Sequence, residues 1–224
     1  SNCSFDIQED GSKNYWLYIS GSPSPDNIQI DHNEFAHKYN EGCFIVIYGP
    51  EKGIAKNIRI NHNHFKGHHF NGENGGEAIR YGDSDRQNYS SYSTIENNLF
   101  ENCNGDVEVL SIKTTNCTIR RNTLRNCQGS IVLRHGDSSI VKNNFIMECE
   151  GGIRIIGDNQ QVIGNYFYNN SLSFSSSLGA LTICAGDKKD LQNGENTYDR
   201  PSNCIVAYNT LIDNKGMNMD FGII

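Results

Sequence analysis

No stretch of eighteen consecutive apolar residues occurs in this 224-residue sequence, so no helix of it crosses a membrane. It does not open with a basic segment followed by an apolar stretch, so its first residues do not read as a signal peptide. Helical periodicity is missing over any three turns, which leaves strands as the building unit. Basic clusters interleaved with aromatics are also missing and the formal net charge is −7, so a nucleic-acid partner is not expected. That charge does not exclude an anionic polymer, because a few Lys and Arg in one cleft hold acidic sugar while the rest of the surface repels it. No C-x-x-C pair occurs among the eight cysteines, which argues against a thiolate metal site. Cys103 and Cys127 each follow the end of a repeat by three residues and Cys149 lies 22 further on, the spacing of a column of small buried thiols rather than a disulfide framework.

What the chain does have is a phrase repeated seven times: a β-branched residue, Asn three positions later, and Phe or Leu two beyond that. The copies run Ile30–Phe35, Ile60–Phe65, Ile95–Phe100, Ile119–Leu124, Ile140–Phe145, Val162–Phe167 and Val206–Leu211. Their Asn members are 33, 63, 98, 122, 143, 165 and 209, with tightest spacings of 24, 21 and 22 residues. A period in that range marks stacked coils, each burying its apolar face against its neighbours. A hydrophobic content of 36% is low for a globular chain, but the apolar residues recur in register, as in a thin solenoid core.

A second strand per coil reads Cys43–Gly49, Ala78–Gly82, Val107–Lys113, Ser130–Gly136, Gly152–Gly157 and Leu181–Gly186, mostly closed by Gly where a turn demands positive φ. The expectation is an all-β, right-handed parallel β-helix with coils of about 21–24 residues, forming one domain over 1–224. Seven or eight coils at the strand spacing make a rod roughly 35–40 Å long. Asn tolerates the left-handed conformation and bonds to its copy in the next coil, and Phe/Leu stack in the core. Loops at 66–92 and 168–203 exceed what a coil needs and are expected to wall a binding face. Both ends look abrupt, as in a segment of a longer protein.

Lys113 and Arg134 are 21 residues apart, as are Ile119 and Ile140, so the expectation stacks the two cations in one column. Two stacked cations repel unless an anion lies over them, or unless a carboxylate such as Glu77 or Glu108 pairs with one. Asp106 and Glu108, at i and i+2, share a face of a strand and suit a hard cation such as Ca²⁺, to which Asn74 could add a neutral oxygen. An Asp-x-Glu alone is more often a solvated face. His135 is expected on the side of the strand opposite Arg134, and His62, His64, His68 and His69 on a solvated coil face. Arg80 and Glu77 either form an ion pair under the ligand loop or contact sugar.

Taken together, Asn74-Gly-Gly-Glu77, Gly105-Asp-Val-Glu108-Val-Leu-Ser-Ile-Lys113, Arg134-His-Gly136 and Gly151-Gly-Ile-Arg154 resemble the successive signatures of polysaccharide lyase family 6, over about residues 55–170. That family contains alginate lyases and chondroitinase B. The resemblance implies a parallel β-helix that cleaves uronate polysaccharide by β-elimination, with alginate expected ahead of dermatan sulfate. By it Lys113 is the base, Arg134 lies near the glycosidic oxygen, Asn74, Asp106 and Glu108 hold Ca²⁺, and Arg154 binds substrate. His135 and Arg80 join the substrate-binding set. The family pattern has Glu at the first acidic ligand, where this chain has the shorter Asp106. Secretion or a periplasmic location is implied by the polymer substrate. Alternatives are a dermatan sulfate lyase and, from other classes, a non-catalytic carbohydrate-binding β-helix and a uronate C5-epimerase; lyase, binder and epimerase differ in product. Linkage preference, internal or terminal cleavage and oligomeric state leave no mark in the sequence.

Overall fold

The computed structural model describes residues 2–8, 10–70, 74–171 and 179–223. Residues 71–73 and 172–178, within the two long loops, lie outside the described residues, as do Ser1 and Ile224 at the ends. Three parallel sheets form the walls of a right-handed β-helix. The first runs from Ser4–Phe5 to Thr210–Ile212, the second from Leu17–Ser20 to Met219–Ile223, and the third from Gln29–Asp31 to Ile205–Ala207. The chain visits them in that order on every coil.

The core is a set of columns, because parallel in-register pairing places each side chain over its copy one coil away. Phe5, Phe35, Phe65 and Phe100 stack face to face at 4.7, 4.9 and 4.8 Å, the spacing of the strands themselves. Ile30, Ile60, Ile95, Ile119, Val141, Val162 and Val206 form the matching column of the third sheet. The thiols of Cys103, Cys127 and Cys149 are buried in one column, as their spacing predicts.

The asparagine ladder is Asn33, Asn63, Asn98, Asn122, Asn144, Asn165 and Asn209, each bonding its copy by main-chain N–H and side-chain amide at 2.9–3.1 Å. The fifth member is Asn144 and not Asn143. Ile140–Phe145 fits the repeat in full and Val141–Ile146 fits it with Ile in place of Phe or Leu, and the chain takes the second: Val141 and Ile146 are inside while Phe145 is 50% exposed. A one-residue shift turns every side chain over, and the alternative would force Lys142 rather than Asn143 into the left-handed corner. Asn bears that conformation more readily. That corner is the position before the ladder residue, held at φ near +55° by His32, His62, Asn97, Arg121, Asn143 and Tyr208, so the ladder Asn themselves are not left-handed.

Successive ladder steps span 30, 35, 24, 22, 21 and 44 residues. The expected 21–24 therefore holds only for the middle coils, and the longer steps carry the loops. The histidines are not uniformly solvated: His68 is fully buried, its Nε2 2.7 Å from the Gly42 carbonyl.

Candidate active site

The outer face of the second sheet gathers the residues singled out above. Strands Ile79–Gly82, Glu108–Lys113, Ser130–His135 and Ile153–Ile155 lie side by side, with Arg80, Ser111, Val132 and Arg154 in one register. They point outward because the alternate residues, Ile79, Leu110, Ile112, Ile131, Leu133 and Ile153, fill the core.

One register step further, Lys113 lies between Gly82 on one coil and His135 on the next. Pairing shifts by one residue after Ile112–Leu133. Arg134 is thus the extra residue of a bulge, and it does not sit over Lys113 as the 21-residue spacing suggests. The bulge follows from the 22-residue ladder step that Asn144 creates. Bulges re-aim side chains, and here Arg134 and His135 turn to the same side: Arg134 Nη1 is 3.3 Å from His135 Nε2. The expectation that His135 faces away assumed a regular strand. Gly82 is required beside Lys113, because a Cβ there would come within 2.4 Å of the Lys113 carbonyl oxygen.

The segment Asn196-Thr197-Tyr198 crosses this face. Tyr198 lies with its ring 4.1 Å from the Arg134 guanidinium carbon and 5.8 Å from that of Arg154, within cation–π range. It also packs on Val132, Ile156 and Cys184. Asn196 Oδ1 is 3.2 Å from His135 Nε2. A neutral imidazole can donate to Asn196 from that nitrogen or accept on it from Arg134, not both. Burial, with Arg134 and Lys113 nearby, pushes His135 down to about 3, against a smaller upward pull from Asn196. His135 is therefore a neutral group at ordinary pH. Its Nδ1 and the Arg154 Nε are buried without a hydrogen-bond partner among the described residues. Tyr198 and Asn196 have no motif of their own, and the long loop that carries them was the only signal.

On the other side of Lys113, the Glu77 carboxylate takes two hydrogen bonds from Arg80, at 2.8 and 2.6 Å. Glu77 is 1% exposed. Burial would raise its carboxyl, but the Arg80 bonds and charge, with Lys113, hold it below the ordinary value. Of the two readings of Arg80, this is the ion pair. Asp106 precedes the strand rather than lying on it. Its Oδ2 accepts from the Gly75 and Gly76 N–H groups at 2.7 and 3.3 Å, and its Oδ1 from Glu108 N–H at 3.1 Å. Asp106 thus ties the Asn74 turn to the start of the Glu108 strand. Glu108 accepts from the Ser111 hydroxyl, and Asn74 is exposed.

Burial, then the charges of Glu77 and Glu108, push Asp106 up to about 6. Among the described residues no three His, Cys, Asp or Glu side chains form a metal-holding group. The side chains of Asn74, Asp106 and Glu108 offer oxygen donors; Arg80 serves Glu77 instead, while Glu108 lies in the field of Arg154. That chemistry fits a hard divalent cation.

These features sit on a parallel β-helix whose relatives can now be identified. The chondroitinase B family matches residues 2–223, and the chain belongs to that family, polysaccharide lyase family 6. No curated protein sequence matches it. Among solved structures, a mannuronic acid specific family 6 lyase from human gut microbiota shares 24% identity and a TM-score of 0.81 over 100% of this chain and 57% of its own. The alginate lyase AlyF-OU02, solved with G6, shares 27% at a TM-score of 0.76, over 90% of this chain and 46% of its own. A further family 6 alginate lyase, solved with a trisaccharide, shares 26% at 0.71, over 86% and 44%. The chain thus spans about half the length of these relatives.

Proposed function

We propose that this chain is a polysaccharide lyase that cleaves a uronate polymer, alginate foremost, by β-elimination. The observation that carries the reading is the convergence of Lys113, Arg134, His135 and Arg154 on one face, beside Asp106 and Glu108, in a chain that a lyase family matches along its length. The solved relatives that are alginate lyases favour alginate over dermatan sulfate.

Lys113, once unprotonated, takes the C5 proton of the uronate; its strand is held against Gly82 on the neighbouring coil. The electron pair forms the C4–C5 double bond as the C4–O bond breaks. Arg134 hydrogen-bonds the departing oxygen; a guanidinium does not give up its proton in a protein, so the protonated Lys113 or water delivers one. Arg154 holds the carboxylate or hydroxyls of a neighbouring unit, and neutral His135 contributes a hydrogen bond without adding charge. Asn74, Asp106 and Glu108 would hold Ca²⁺, which when bound neutralises the uronate carboxylate and lowers the cost of charge developing next to it. Such a protein works outside the cytoplasm, in the periplasm or the medium, where the polymer is.

The test is ultraviolet absorbance of unsaturated uronate on mannuronate blocks, guluronate blocks and dermatan sulfate. A rising signal that Lys113→Ala lowers by at least a thousandfold, and that chelator suppresses and Ca²⁺ restores, is the expected result. Well-folded protein giving no signal on any polymer would sink the lyase reading. A changed uronate ratio at constant chain length would then indicate an epimerase, and binding alone a carbohydrate-binding β-helix.

A further inference from the structure

The third sheet carries a charged cluster that the proposed chemistry does not use. Glu96 is 1% exposed on its outer side and three guanidiniums converge on it. Arg59 donates to Oε1 from Nε at 2.8 Å, and its Nη2 lies 2.8 Å from the same oxygen as an ion pair. Arg120 Nε and Arg121 Nη2 donate to Oε2 at 2.8 and 2.7 Å. Burial pushes the Glu96 carboxyl up, but Arg120, Arg121 and Arg59 together hold it down at about 2, so it is an anion at any working pH.

One arginine would neutralise a buried carboxylate, and this one has three. Lys142 follows Arg120 in the same outward column, one coil on. Three positive side chains therefore meet one carboxylate and a fourth, Lys142, extends their column, in a chain whose net charge is −7. The other outward positions around them, Asn61, Thr94 and Thr118, are neutral, and the next carboxylate in either column is Asp31. The guanidiniums are not consumed by their contacts. The side chains of Arg59, Arg120 and Arg121 remain 52, 34 and 52% exposed, and each uses one or two of its five N–H donors on Glu96. Glu96 fixes their planes, so a further carboxylate meets donor edges that have already lost their rotamer freedom.

The cations lie on the coils of Arg59, Arg120–Arg121 and Lys142, a rail running along the stack for roughly 15 Å at the strand spacing. That is the form of a site for a linear polymer with regularly repeated negative charge.

We propose that Arg59, Arg120, Arg121 and Lys142 form a second binding surface for the acidic polysaccharide, on a different sheet from the catalytic face. The choice of a uronate polymer over another polyanion rests on the lyase reading above. A second contact on the same long chain raises retention by effective concentration while leaving the chemistry at Lys113 unchanged.

The test pairs binding with turnover. In the Lys113→Ala background, which stops cleavage, affinity for long alginate is measured with and without Arg59→Gln/Arg121→Gln. Gln still donates to Glu96, and Arg120 stays. We expect the double change to weaken polymer binding at least fivefold and to flatten its salt dependence. With Lys113 intact, it leaves turnover of a trisaccharide, too short to bridge both faces, within twofold. Unchanged polymer affinity overturns the proposal, as does tighter retention of duplex DNA than of alginate by the same residues. If the double variant melts early, Lys142→Gln, which leaves every Glu96 contact in place, carries the same comparison with a twofold criterion. Loss of product on every polymer would refute the lyase reading separately, since binding is scored without turnover.

Discussion

Tyr198 links the two arginines of the candidate site, and its removal separates two kinds of contribution. Tyr198→Ala leaves Arg134 and Arg154 without the ring that orders them, and the expected result is a rise in KM of about tenfold with a smaller fall in kcat; cation–π contacts of this kind are worth about 1–2 kcal/mol. Tyr198→Phe, keeping the ring face, should restore most of the loss, and steady-state kinetics on a defined oligosaccharide checks both. His135 makes a prediction about pH. Its value in the folded chain, about 3, lies below the ordinary 6.5. The unfolded chain therefore binds the proton first, and the stability tied to neutral His135 is complete above pH 6.5 and lost progressively as pH falls toward 3. Melting temperature measured from pH 8 to pH 4 should fall less steeply for His135→Gln than for the parent, and equal slopes would contradict the assignment.

The two loops that bring Asp106 to Asn74 depend on an approach that only glycine permits. A Cβ on Gly76 would stand 2.1 Å from the Gly105 carbonyl oxygen, and one on Gly105 would stand 2.3 Å from His68 Nδ1. Gly105→Ala, whose Cβ would also stand 2.5 Å from the Gly76 carbonyl oxygen, is expected to displace the Asp106 turn and lower the melting temperature, and, on the calcium reading proposed above, to raise the Ca²⁺ needed for half-maximal activity at least tenfold. A calcium titration of activity alongside a thermal melt reads this out. The ladder offers a second comparison. Asn144→Ala strips partners from buried groups on both neighbouring coils, at a cost of about 3 kcal/mol, whereas Asn143→Ala asks only that Ala adopt the left-handed corner, about 1 kcal/mol. Denaturant unfolding of the two variants should show that order. The same pair of residues marks where the sequence became ambiguous. Columns, strands and the outward set of the second sheet were legible because each repeats with a fixed period. The segment Ile140–Ile146 admits two frames, and only packing between coils selects one. The position of Lys113 against His135 rather than Arg134 followed from that choice. Tyr198 and Asn196 were illegible for a different reason: they reach the site by loop path, which has no period.

At the scale of the whole molecule, each coil after the first carries its own strands, ladder Asn and core residue, so the candidate site is a property of four adjacent strands and not of the stack's length. The ladder adds something that no one coil contains. In each step the main-chain and side-chain N–H of one Asn point to the amide oxygen of the next, from Cys3 through to Asn209. Cys149, Asn170 and Asn214 repeat the same sense in a second row. Amide dipoles aligned head to tail polarise one another. The rod therefore has a polarity like that of a helix, with a donor end and an acceptor end, and a coil added in the wrong direction would meet like against like.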